Sequence, residues 1–125
     1  MIDILHFEFG EVRVFKKFIV VLMKEGITVK PKHNKDLIMI AEKYFSGKKF
    51  GYITYRINSY AVDPLVYIET SKIENLVAFA VVVREDGLKE SNVEIEKLFF
   101  TKPFRAFHDL DQAKDWVLQI IEKAK

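Results

Sequence analysis

The stretch Phe50 to Pro64, FGYITYRINSYAVDP, decides the fold. Its first half, Phe50 to Arg56, packs aromatic and β-branched residues into the length of one strand. Asn58, Ser59 and Tyr60 follow as turn chemistry. Asp63 and Pro64 then mark a helix start, because an Asp carboxylate accepts from the free N–H groups of a first turn and proline's fixed φ suits the first helical position. A strand that feeds a helix through a polar turn is half of an α/β unit.

Upstream, Phe7, Phe9, Val12 and Val14 alternate with Glu8, Glu11 and Arg13, the period-two signature of a half-buried strand. The apolar phase flips across Gly10-Glu11, so a bulge or bend is expected there. Lys16-Lys17 makes a turn into Phe18–Met23, a continuous apolar run, and Glu25-Gly26 closes this hairpin. After Pro31, the segment Asn34 to Ser46 sets Leu37, Ala41, Tyr44 and Phe45 at helical spacing, with Gly47 as the stop.

Downstream, a second helix is expected from Asp63 to about Asn75, although Thr70 and Ser71 interrupt its apolar face. Leu76 to Val83 is apolar at every position, as a strand covered on both faces would be. Ser91 with Glu94 forms a capping box for a helix that turns Ile95, Leu98 and Phe99 inward until Pro103. Phe104–Phe107 reads as a short strand. Asp109 with Gln112 is a second capping box, and Leu110, Ala113, Val117, Ile120, Ile121 and Ala124 trace one stripe of the closing helix. The order implies a single α/β domain: a mostly parallel five-stranded sheet with an N-terminal antiparallel hairpin and four flanking helices.

The 125 residues fit one domain, which at that length buries roughly two-thirds of the surface its unfolded chain exposes. Twenty basic and 18 acidic residues leave a net charge of +2, and only Arg13, Arg56, Arg84 and Arg105 are arginine. That balance argues against nucleic acid, which wants a concentrated Arg-rich face. The absence of cysteine removes disulfides, thiolate nucleophiles and Cys-ligated metal. His6, His33 and His108 show no ligand spacing, so no metal or cofactor is expected. The longest apolar run is far shorter than the ~20 residues that cross a bilayer. The N-terminus lacks the basic flank of a signal peptide, and the expected location is the cytoplasm.

The element order, the NSYAVDP turn, the EIEKLFFTKPFRAF segment and the closing HDLDQAKDWV helix together resemble small bacterial proteins of the STAS or SpoIIAA-like class, which includes the anti-sigma-factor antagonists. The resemblance implies a mostly parallel sheet flanked by helices and a regulatory or ligand-responsive role in place of catalysis. Some members of the class are also likened to the lipid-binding Sec14 domain. In the antagonists a phosphorylatable serine sits where a helix begins after a central strand. Here Asp63-Pro64 occupies that start, and the nearest hydroxyls, Ser59 and Tyr60, lie upstream in the turn. Ser59 is thus the candidate phosphosite, while a carboxylate at a helix N-terminus partly imitates a fixed negative charge.

In an open α/β sheet, ligands bind outside the carboxyl ends of the strands. The candidate binding rim is therefore Arg56, Asn58, Ser59, Tyr60 and Asp63, with Arg84 from the next strand end. The competing account of the same residues is ordinary turn and capping chemistry. Ser59, His108 and Asp63 could be written as a hydrolase triad, but no G-x-S-x-G elbow surrounds Ser59 and the assignment is rejected. Glu25 with Asp86 has no better standing as an acid–base pair. The expected function is a non-enzymatic regulatory or binding domain acting on a protein partner or sensed ligand at this rim. The alternative is a carrier of a small apolar or lipid-like ligand, motivated by the eleven Phe and the Sec14 likeness. Homodimerisation is expected only on the base rate for small domains.

Overall fold

The computed structural model describes residues 1–56, 61–83 and 96–124. Eight strands occur among them: β1 (Asp3–Phe7), β2 (Gly10–Val14), β3 (Phe18–Met23), β4 (Thr28–Val29), β5 (Phe50–Arg56), β6 (Ala61–Val62), β7 (Leu76–Val83) and β8 (Phe104–Phe107). The helices are α1 (Asn34–Phe45), α2 (Leu65–Ser71) and α3 (Leu110–Lys123), with a 3-10 turn at Pro31–His33 before α1.

Six strands form the main sheet in the order β1-β2-β3-β5-β7-β8. The β1/β2 and β2/β3 pairs are antiparallel, and β3/β5, β5/β7 and β7/β8 are parallel. The α/β class, the parallel core and the antiparallel N-terminal exception are as the sequence implies. The strand count rises from five to six because the first expected strand is two. The phase flip near Gly10 is a hairpin turn at Glu8-Phe9 where a bulge was expected. Gly10 makes that turn possible: at φ +150° it lies where a Cβ would stand 2.2 Å from Leu22 O.

A second, two-stranded sheet pairs β4 with β6 in parallel. Neither strand is legible from period, since two residues carry no alternation. Helix α2 is also shorter than expected. Asp63 Oδ1 does accept from Leu65 N–H at 3.0 Å, as the cap reading requires. The helix nevertheless stops at Ser71, and Asn75, expected at its end, instead donates from Nδ2 to Phe45 O and Lys48 O, satisfying carbonyls left open where α1 ends. Three helices stand among the described residues against the four expected. The Ser91–Glu94 box lies outside those residues, which resume at a helical turn, Glu96-Lys97.

Strand alternation divides the core into two layers. On one face Ile19, Val21, Tyr52, Phe79 and Val81 meet Leu37, Ile40 and Phe45 of α1 and Val66 and Tyr67 of α2, with Phe100 in the same layer. On the other face Ile53, Ala78, Ala80 and Val82 meet Ala113, Val117 and Ile121 of α3. Among the described residues, α1 in the β3–β5 crossover and α2 in the β5–β7 crossover thus share one side, and α3 packs on the other. Small residues set how close that last helix comes: a Cβ on Gly51 would meet Val117 Cγ1 at 2.1 Å. Asp109 Oδ1 caps α3 by accepting from Asp111 N–H at 2.8 Å.

Candidate functional site

Between the sheet and the pair α1–α2 lies a partly open cavity at the carboxyl ends of β3 and β5. Its floor is the inward face of the sheet, including Val12, Ile19, Val21, Tyr52, Thr54 and Phe79. Leu37 and Ile40 of α1 and Val66, Tyr67 and Thr70 of α2 make the walls. Phe9, Met23, Val29 and Val62 surround its outer end, so the β4–β6 pair is part of its cover. The cavity offers about 30 Å³ to the centres of water-sized molecules. One water needs roughly 10–15 Å³ by that measure, so the space takes about two waters or a molecule of a few heavy atoms.

Four polar side chains interrupt this apolar wall: His33, Asn34, Thr54 and Thr70, all buried. Asn34 Nδ2 donates to Val66 O at 3.2 Å, and Thr70 Oγ1 lies 2.9 Å from Asn34 Oδ1 and 2.7 Å from Val66 O. These bonds tie the first turn of α1 to α2. Thr70 therefore does not weaken α2 as its place in the apolar stripe suggests, because its hydroxyl faces a polar partner. Ser71 behaves likewise, donating to Tyr67 O at 2.8 Å and accepting from Thr101 N–H at 3.0 Å.

His33 closes the corner of the site. Its Nδ1 accepts from Lys30 N–H at 3.0 Å, which fixes the proton on Nε2, and Nε2 donates to Glu8 Oε1 at 2.9 Å. The His33 hydrogen bond, with the charge of Lys32 second, holds the Glu8 carboxyl below the usual range. Phe9 meets the imidazole edge-on at 5.7 Å. The β1–β2 turn is thus pinned to the 3-10 turn at the cavity's outer end.

Arg56 ends β5, the position expected of a rim residue, but its side chain points inward. Nη2 lies 2.5 Å from Glu96 Oε1 and donates to Tyr67 OH at 3.0 Å, and Tyr67 OH donates to Glu96 Oε2 at 2.6 Å. This closed, buried triangle joins β5, α2 and the helical turn at Glu96. Asp63, half-buried, caps α2 and is not joined to Arg56 by any bond among the described residues. Asn58, Ser59, Tyr60 and Arg84 lie outside the described residues, as does Asp86. His108 Nδ1 stands 3.3 Å from Val83 O, and Glu25 is exposed. Among the described residues, no group of three or more His, Asp or Glu could hold a metal ion, and no helix is long and apolar enough to cross a membrane.

The cavity residues have no common signature in the sequence because they come from six separate stretches. One signal was present: His33 and Asn34 stand between Pro31 and a helix start, where polar side chains commonly turn back on the structure.

No family model matches the chain, and no curated protein matches it. Among solved structures it is similar to an uncharacterised protein of the DUF3478 family from Shewanella loihica PV-4, described as having a SpoIIAA-like fold. The superposition has a TM-score of 0.53 at 12% identity and covers 92% of this chain and 90% of that one.

Proposed function

Starting from a SpoIIAA-like fold, we propose that the chain is a non-catalytic binding domain that senses a small molecule in the cavity at the carboxyl ends of β3 and β5. The observation that carries this reading is the lining itself: an apolar chamber with His33, Asn34, Thr54 and Thr70 gathered at the strand ends where α/β sheets take their ligands. The matching ligand is small and mostly apolar, with one group able to hydrogen-bond. The rim expected from the sequence is thereby moved inward, from the turn after Arg56 to the chamber beneath β4 and β6.

The aromatic floor around Tyr52 and Phe79, stacked with ring centroids 4.4 Å apart, favours a second reading, a carrier of a longer apolar or lipid-like chain. That reading requires α1 and α2 to move away from the sheet, because the chamber as built is too small for such a chain.

Amide NMR titration with straight-chain alcohols of increasing length separates the two. Sensing of a small molecule predicts saturable shifts at His33, Asn34, Thr54 and Thr70, with affinity that stops rising after a few carbons. Affinity that keeps rising with chain length supports the carrier, and no saturable shift at these residues overturns both.

A further inference from the structure

The outer surface of the same two helices carries a second feature that the cavity does not use. Pro31, Ile38, Leu65 and Ile68 line an open groove between α1 and α2. Ile38 is 45% exposed, Leu65 55% and Ile68 36%, so three large aliphatic side chains face water side by side. Exposed apolar surface gathered in a groove with polar walls is characteristic of a docking site.

The charges along the walls are unequal. Lys32 and Lys35 stand on the α1 side and Glu69 on the α2 side. Glu69 is already met by Lys72 at 3.3 Å. Lys32 reaches Glu8 only at 3.6 Å, with both side chains largely exposed, and Lys35 has no carboxylate within salt-bridge distance among the described residues. The groove is therefore apolar at its floor and net positive along one wall.

Spacing gives the occupant's shape. Lys35 and Ile38 are one turn apart on α1, as are Leu65 and Ile68 on α2. A groove between two helices accepts a third, whose i, i+3 and i+4 side chains fill the gap. From these observations we propose that the α1–α2 groove docks a partner's amphipathic helix, with aliphatic side chains inward and carboxylates toward Lys32 and Lys35.

The two surfaces are linked. Asn34 lines both the groove and the cavity, and its bonds to Val66 O and Thr70 hold α1 and α2 together. The docking proposal itself stands without any ligand, so it is tested on the empty protein.

The test uses a synthetic amphipathic peptide of about four helical turns, with leucines on one face and glutamates flanking them, beside a counterpart carrying glutamine for each glutamate. Amide NMR locates the site and fluorescence anisotropy gives the affinity. The glutamate peptide is expected to shift Ile38, Leu65 and Ile68 and to bind about tenfold more tightly than the glutamine peptide. Lys35→Glu is expected to cancel that preference, and Ile38→Asp to remove binding while the amide spectrum stays folded. Equal affinity for the two peptides, shifts centred elsewhere, or no saturable binding up to about 1 mM overturns the proposal.

Discussion

Arg56 and Glu96 form a buried ion pair, their side chains only 6% and 11% exposed, closed into a triangle by the Tyr67 hydroxyl. Two charges withdrawn from water together are tolerable, whereas one left alone is not. Glu96→Ala is expected to destabilise the fold by about 3–5 kcal/mol, read as a lower urea midpoint. Arg56→Met combined with Glu96→Leu is expected to cost far less than the two single changes summed. Additive losses would mean that the two side chains act independently.

Gly51 and Val117 place α3 directly on β5. Gly51→Ala must displace Val117 Cγ1, and overpacking of this kind costs about 1–3 kcal/mol. Val117→Ala leaves a cavity instead, but in the double variant the new methyl fills part of it. The double-mutant cycle is therefore expected to show a favourable coupling between the two sites. No coupling would mean that the helix shifts as a body.

Tyr44 of α1 reaches across to β1, where its hydroxyl donates to Asp3 Oδ2 at 2.5 Å. That bond, with Ile4 N–H on Oδ1, holds the Asp3 carboxyl below the usual range, and the same bond raises the Tyr44 phenol. Because the folded carboxyl is the stronger acid, its contribution is present above the unfolded value near pH 4 and is lost as pH falls through the folded one. The phenol works in the opposite direction, contributing below about pH 10 and failing as pH rises through its raised folded value. Tyr44→Phe is expected to return Asp3 toward its ordinary titration, followed by carboxyl carbon NMR. An unchanged Asp3 titration would show that Ile4 N–H alone sets it.

The architecture was legible where packing and periodicity agree. Leu76–Val83 announces a strand covered on both faces, and Leu110 to Ala124 announces a helix with one apolar stripe. The β1–β2 hairpin was hidden because an alternating pattern reads almost the same through a two-residue turn as through a bulge. The β4–β6 pair was hidden because its partners lie more than thirty residues apart and hold two residues each. At the site, position was legible and orientation was not. Arg56 does end a strand at the carboxyl edge, but whether a rim arginine faces water or turns inward depends on Glu96, forty residues on. The Asn34–Thr70 contact, likewise tertiary, has no local signature.

If the chamber beneath β4 and β6 holds a small molecule, filling the chamber must expel it. Val62 lines that chamber from β6 and is only half-buried, so Val62→Phe can fill it with little disturbance of the sheet. Mass spectra of the wild-type chain and this variant, purified from the native cell and recorded under native and then denaturing conditions, test the claim most directly. A small adduct is expected on the wild type, released by denaturation and absent from Val62→Phe. A bare wild-type mass under native conditions, or an adduct that Val62→Phe retains, would contradict it.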